Sequence, residues 1–108
     1  MADSLPLILF MLLAAHWVAD YPLQGDFLAR TKAEGPLRAY HLIAHAGIHG
    51  GAVALVTGSL ALGLVEWVLH TLIDEMKVRG RTSFSADQAM HLTCKMLYVA
   101  LLAGASHG

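Results

Sequence analysis

Between Ala39 and Val65 the chain runs for 27 residues without an Asp, Glu, Lys or Arg. Crossing a hydrocarbon core takes about 20 helical residues, so this run is too long for one ordinary span and too apolar for an open loop. The triplet Thr57-Gly58-Ser59 supplies a break inside it. Dividing the run there predicts one helix over about 37–56 and the next over about 60–78. Upstream, Leu5 to Ala19 is also free of charge and predicts a helix over about 5–21, with Pro6 in the first turn, where its missing N–H is harmless. Downstream of the loop GRTSFSA, Ser85 offers an N-cap for a fourth helix over about 86–105. Residues 22–38 mix Pro, Gly and charges and read as a connecting loop.

Composition agrees with burial in lipid. The 108 residues allow one domain, and 56% of them are hydrophobic against 14% charged, outside the range of ordinary soluble domains. The expected fold is therefore all-α: a membrane-spanning antiparallel four-helix bundle, residues 1–108, with cytoplasmic loops at 22–36 and 79–85. Arg30, Lys32, Arg79 and Arg81 lie in those two loops, with Arg38 and Lys77 beside them, and the turn at Thr57-Gly58-Ser59 has no basic residue. The positive-inside bias then puts both loops in the cytoplasm and both termini outside it. Asp3, with no Lys or Arg ahead of the first apolar run, argues against a secretory leader. A net charge of −1 gives no basic face for nucleic acid, and the lone Cys94 excludes an internal disulfide and any site built on several thiolates.

Seven histidines stand out against this background. Each expected helix carries a polar stripe at four-residue spacing: His16 and Asp20; His41, His45 and His49; Glu66, His70 and Asp74; Asp87, His91 and Lys95. Residues four apart share a helix face, so each stripe points one way. His16 and Asp20 close the first helix, His41 and His45 open the second, His70 and Asp74 close the third, and Asp87 and His91 open the fourth. In an up-and-down bundle all eight lie at the same end. The sequence HxxxD leaves and HxxxH returns in the first hairpin, HxxxD leaves and DxxxH returns in the second, a weak internal repeat of two αα-hairpins. Imidazole and carboxylate donors from facing helices suit one or two divalent ions, zinc or manganese first. Glu66, His49 and Lys95 fall about two turns deeper, roughly 12 Å at the helical rise, where a Glu66–Lys95 ion pair is the expected arrangement. Gly47, Gly50 and Gly51 suit close helix packing, and Trp17 and Trp67 read as packing or interfacial aromatics.

The runs HWVADYPLQGDFLARTK, HAGIHG, HTLIDEMK and DQAMH, in this order, resemble domain-of-unknown-function family 3307, small integral membrane proteins of bacteria and phages. The likeness extends from about residue 7 to 101 and implies an inner-membrane location. It implies a role for His16, Asp20, Gln24, His45, His70, Asp74, Lys77, Asp87, Gln88 and His91; His41 and His49 stand outside the pattern. A more distant similarity to His- and Asp-rich membrane proteins labelled metal-dependent hydrolases implies hydrolysis.

These readings lead to one expectation: a membrane-embedded metal-dependent hydrolase acting on a phosphorylated lipid or similar anionic substrate at the cytoplasmic face. The metal ligands would be His16, Asp20, His45, His70, Asp74, Asp87 and His91, with Gln24, His41, Lys77 and Gln88 in support and Asp87 as general base. Its partners would be membrane lipid and a second copy of the chain, with no nucleic acid. A metal-ion transporter or a structural metal site in a membrane adaptor would need the same ligands. A haem-binding electron carrier would use facing His pairs but leaves the Asp four residues from a His in three helices unexplained.

Overall fold

The computed structural model describes residues 4–20, 27, 30 and 32–107, with the side chains of 106 and 107 excepted. Four helices account for most of them: α1 Leu5–Asp20, α2 Arg38–Thr57, α3 Leu60–Val78 and α4 Phe84–His107. No strand occurs among the described residues. Each helix packs on two others, α1 on α2 and α4, and α3 on α2 and α4, so the chain closes a four-membered ring.

Local chemistry sets the turns. Gly58 takes the left-handed conformation at φ 73°, its N–H donating to Ala54 O, while Ser59 caps α3 by accepting from the Leu62 N–H at 3.1 Å. Two residues thus reverse the chain between α2 and α3. At α4 the cap is Ser83 rather than Ser85: its Oγ accepts the Ala86 N–H at 3.1 Å and its carbonyl accepts from Asp87, so the helix begins at Phe84. Ser4 plays this part for α1, with Pro6 inside the first turn.

The closest helix contact joins α2 and α3. A Cβ placed on Gly63 would meet Ala54 Cβ at 2.7 Å and Gly50 O at 2.8 Å. Trp67 lies across the same seam, its indole over Gly47 and its Nε1 donating to Ile43 O at 3.0 Å. Gly63→Ala is therefore expected to lower stability by about 1–3 kcal/mol through overpacking. Gly51, which has no atom within 4 Å of a built Cβ, provides the comparison: Gly51→Ala should be neutral or stabilising by up to about 1 kcal/mol. Thermal unfolding of the two variants checks the pair, and equal losses would refute the contact.

Polarity is inverted across the bundle. Ile8, Leu12, Val53, Val56 and Tyr98 form an apolar cluster toward the Gly58 end. Toward the other end the interior is mostly polar, with His16, His45, His49, Glu66, His70, Asp74, Asp87, His91 and Lys95 all buried among Ala19, Leu42, Ala46 and Ile73. The outer surface instead carries Phe10, Trp17, Leu55, Leu64, Val68, Leu72, Leu97 and Leu101. Among the described residues, α2 alone qualifies by length and composition as long and apolar enough to cross a membrane; α1 is apolar but shorter, at 16 residues.

Candidate metal centre

Two aspartates organise the polar interior. Asp20, the last residue of α1, accepts from His49 Nε2 at 2.9 Å and has His45 Nε2 3.4 Å from the same oxygen. Its second oxygen lies 3.3 Å from His16 Nε2 and 3.4 Å from Gln88 Nε2. Asp74, in the last turn but one of α3, meets His91 Nε2 at 3.1 Å through Oδ1. Its Oδ2 accepts from Lys32 Nζ at 3.1 Å and lies 3.5 Å from both His45 Nε2 and His70 Nε2. His45 therefore stands between the two carboxylates, and α4 closes the group with Asp87, whose Oδ1 is 3.5 Å from His91 Nε2.

The imidazoles form a column. His49 stacks on His70 with ring centroids 3.7 Å apart, and His70 on His91 at 4.0 Å. His16 packs against the side of that column, 5.1 Å from His49 and 5.4 Å from His91. Gln88 ties α4 to α1: its Oε1 faces His16 Nε2 at 3.1 Å and its Nε2 donates to Asp87 Oδ2 at 3.2 Å.

Several buried polar atoms here have no hydrogen-bond partner among the described residues: both nitrogens of His45, His16 Nδ1, His70 Nε2, His91 Nδ1 and Asp87 Oδ1. Each such group costs about 1–3 kcal/mol when left unsatisfied, so a concentration of them at one spot asks for a partner. Three sets of side chains bring one donor atom each within 4.8 Å of one another: Asp20, His45, His49 and His70; Glu66, His70 and His91; and Asp74, Asp87 and His91. Neutral imidazole with carboxylate, free of thiolate, fits zinc, manganese, iron or nickel. The residues present thus fit one divalent ion, or two that share the space between Asp20 and Asp74.

The cluster brings together His16, Asp20, His45, His70, Asp74, Asp87 and His91, with Gln88 beside them. It also takes in His49, which the sequence pattern set aside as two turns too deep. The pair on α2 that meets α1 is His45 and His49, one turn further along than His41 and His45. Side chains lean toward the N-terminus of their own helix, so those of α2 lean toward the Asp20 end of the bundle while Asp20 leans back along α1. Cα depth alone misses that convergence. His41 stays outside, half-buried beside the rings of Phe27 and Tyr40. Lys77 is exposed, its ammonium 5.0 Å over the Phe84 ring. Gln24 lies outside the described residues.

Two further features were missed as parts of the site. Lys32, expected as one of the basic loop residues at the mouth of the site and not as a partner of a particular carboxylate, reaches Asp74. Tyr98 hydroxyl donates to Glu66 at 2.8 Å, beside the Lys95–Glu66 ion pair, itself 2.8 Å long. Tyr98 follows Lys95 by three residues, a spacing that places both on one face of α4 and could have revealed it. Beyond the cluster, Glu75 accepts from Arg38 in a two-pronged contact and from Arg79 at 2.6 Å, pinning the start of α2 to the end of α3.

No curated protein matches this sequence and no solved structure does. A family model described as a protein of unknown function, DUF3307, matches residues 8–107, so the chain belongs to that family.

Proposed function

We propose that the chain is an integral membrane protein that holds one or two divalent ions among Asp20, His45, His49, His70, Asp74 and His91, with Asp87 beside them as general base, and uses them to hydrolyse a phosphorylated lipid or similar anionic substrate. The observation that carries the reading is the concentration of buried histidine nitrogens, with Asp87 Oδ1, that have no hydrogen-bond partner among the described residues, inside a bundle with an apolar exterior. Ionisable groups inside a membrane are costly unless paired or coordinated, and function is their default meaning. The basic residues in the loops favour an orientation with the Asp20 end toward the cytoplasm.

A bound divalent ion would supply Lewis acidity toward an anionic oxygen and acidify water. The chain supplies the rest. Asp20 keeps 17% of its side chain exposed and Gln88 is half-buried, which makes their end of the cluster the approach from solvent. Arg30 and Arg81 are exposed on the adjoining loops and suit a phosphate group. Asp87 Oδ1 is a buried acceptor without a hydrogen-bond partner among the described residues, Asp87 being held by Gln88 through its other oxygen, and is suited to take a proton.

Elemental analysis of the purified protein, after expression with ample zinc and manganese, should find one or two ions per chain. None would overturn the reading. Asp87→Asn is expected to retain the ion and the fold while turnover of a phosphorylated lipid falls by about 100-fold or more, the usual weight of a general base. A structural or transport site is the second reading, favoured by the deep burial of Asp74, Asp87 and His91; loss of metal from Asp87→Asn, or a metal-loaded protein inert toward phospholipids and isoprenoid phosphates, would support it.

A further inference from the structure

We propose that Glu66, clamped by Lys95 and Tyr98, is a positioning residue that holds the proton of His70 on Nδ1 and turns the Nε2 lone pair toward Asp74. The proposal rests on the metal-centre reading for its purpose, though the geometry stands by itself. Glu66 is buried and its oxygens are fully engaged: Oε2 accepts from Lys95 Nζ at 2.8 Å and Oε1 from Tyr98 hydroxyl at 2.8 Å. An ammonium has donors only, and the carboxylate beside it is an acceptor. His70 Nδ1 lies 2.8 Å from that same Oε2, so it must be the nitrogen that donates.

The consequence appears at the other side of the ring. With the proton on Nδ1, His70 Nε2 is an acceptor, and it faces Asp74 Oδ2 at 3.5 Å with no hydrogen-bond partner among the described residues. Two acceptors facing each other at that distance repel unless a positive charge lies between them, which is what a divalent ion provides. Stacking between His49 and His91 fixes the plane of the same ring. Glu66 therefore acts as the carboxylate that orients a ligating histidine from behind, a device that raises ligand basicity and sets the tautomer.

Glu66, His70 and His91 also place donor atoms close enough to share an ion. Lys95 decides against Glu66 as a ligand: its ammonium already occupies the oxygen that faces His70, and a second cation there would be repelled. The Lys95–Glu66–Tyr98 layer is then the floor of the centre rather than part of its ligand set.

The test combines ¹⁵N-histidine NMR of the metal-free protein with zinc affinity by chelator competition. His70, assigned by its loss in His70→Gln, is expected to carry its proton on Nδ1. In the Lys95→Met background, which removes the ammonium that would be left unpaired, Glu66→Leu should abolish that preference and weaken zinc about 10- to 100-fold. Glu66→Gln in the same background keeps an acceptor and should restore most of both. A proton on Nε2 of His70 in the unaltered protein would overturn the proposal, as would zinc affinity within about threefold of the background in a folded Glu66→Leu variant. If the unaltered protein binds no zinc, the functional reading fails, while the His70 spectrum still decides the role of Glu66.

Discussion

Asp74→Ala is expected to strip the protein of its metal, weakening zinc by about 100-fold or more, beyond the 10- to 100-fold that damage to a supporting residue causes. The carboxylate lies within 3.5 Å of His45, His70 and His91 and accepts from Lys32, so four side chains, three of them from other segments, lose a common partner. Asp74→Asn separates charge from shape: it fills the same volume and still accepts from Lys32, yet it should lose nearly as much metal. His41→Ala and Lys77→Ala, which alter side chains outside the cluster, should stay within about threefold of the unaltered protein. Zinc competition with circular dichroism on the same samples makes the comparison. If His41→Ala costs as much as Asp74→Ala, the losses report helix stability and the cluster is no coordination site.

How much of this was open to sequence reading follows from what four-residue spacing encodes. It reports which residues share a face of one helix, and it placed His16 with Asp20, His70 with Asp74 and Asp87 with His91 without any tertiary information. The four-helix fold was legible for the same reason, since the uncharged runs and the Gly58-Ser59 break are local properties of the chain. The register between helices is different. Whether α1 meets His41 and His45 or His45 and His49 depends on how far each helix slides and how its side chains tilt, and no spacing within one helix contains that. Lys32 was beyond reach because its contact with Asp74 spans 42 residues and depends on the path of a loop.

Val68→Lys should exclude the chain from membranes if the apolar exterior faces lipid, and should do almost nothing if it faces water. Val68 sits mid-way along α3 and is 60% exposed, among the exposed Leu64, Val65 and Leu72. A lysine at the centre of a membrane helix costs about 2.5–3.5 kcal/mol on insertion scales, or roughly 100-fold in partitioning, whereas a surface substitution in water usually changes stability by less than about 0.5 kcal/mol. α3 is the sensitive place to ask, because it already carries Glu66 and Asp74. Together with Glu75 and Lys77 near its end, those charges keep it from qualifying as a span, yet Glu66 and Asp74 are turned inward, where Lys95, Tyr98, Lys32 and the histidines engage them. A window average charges the helix for groups that lipid would never touch, and so understates how apolar its outer face is. Phe10→Lys, at a position 67% exposed on α1, provides a second site on a helix without such charges in its middle. The measurement is the fraction of protein kept in carbonate-washed membranes, with Val68→Leu as the control. Loss of both lysine variants from that fraction, with Val68→Leu retained, is the expected outcome. Recovery of Val68→Lys as a folded protein in the aqueous phase, unfolding at the same temperature as the unaltered chain, would mean that the inverted surface packs against protein rather than lipid, and the membrane reading would fall.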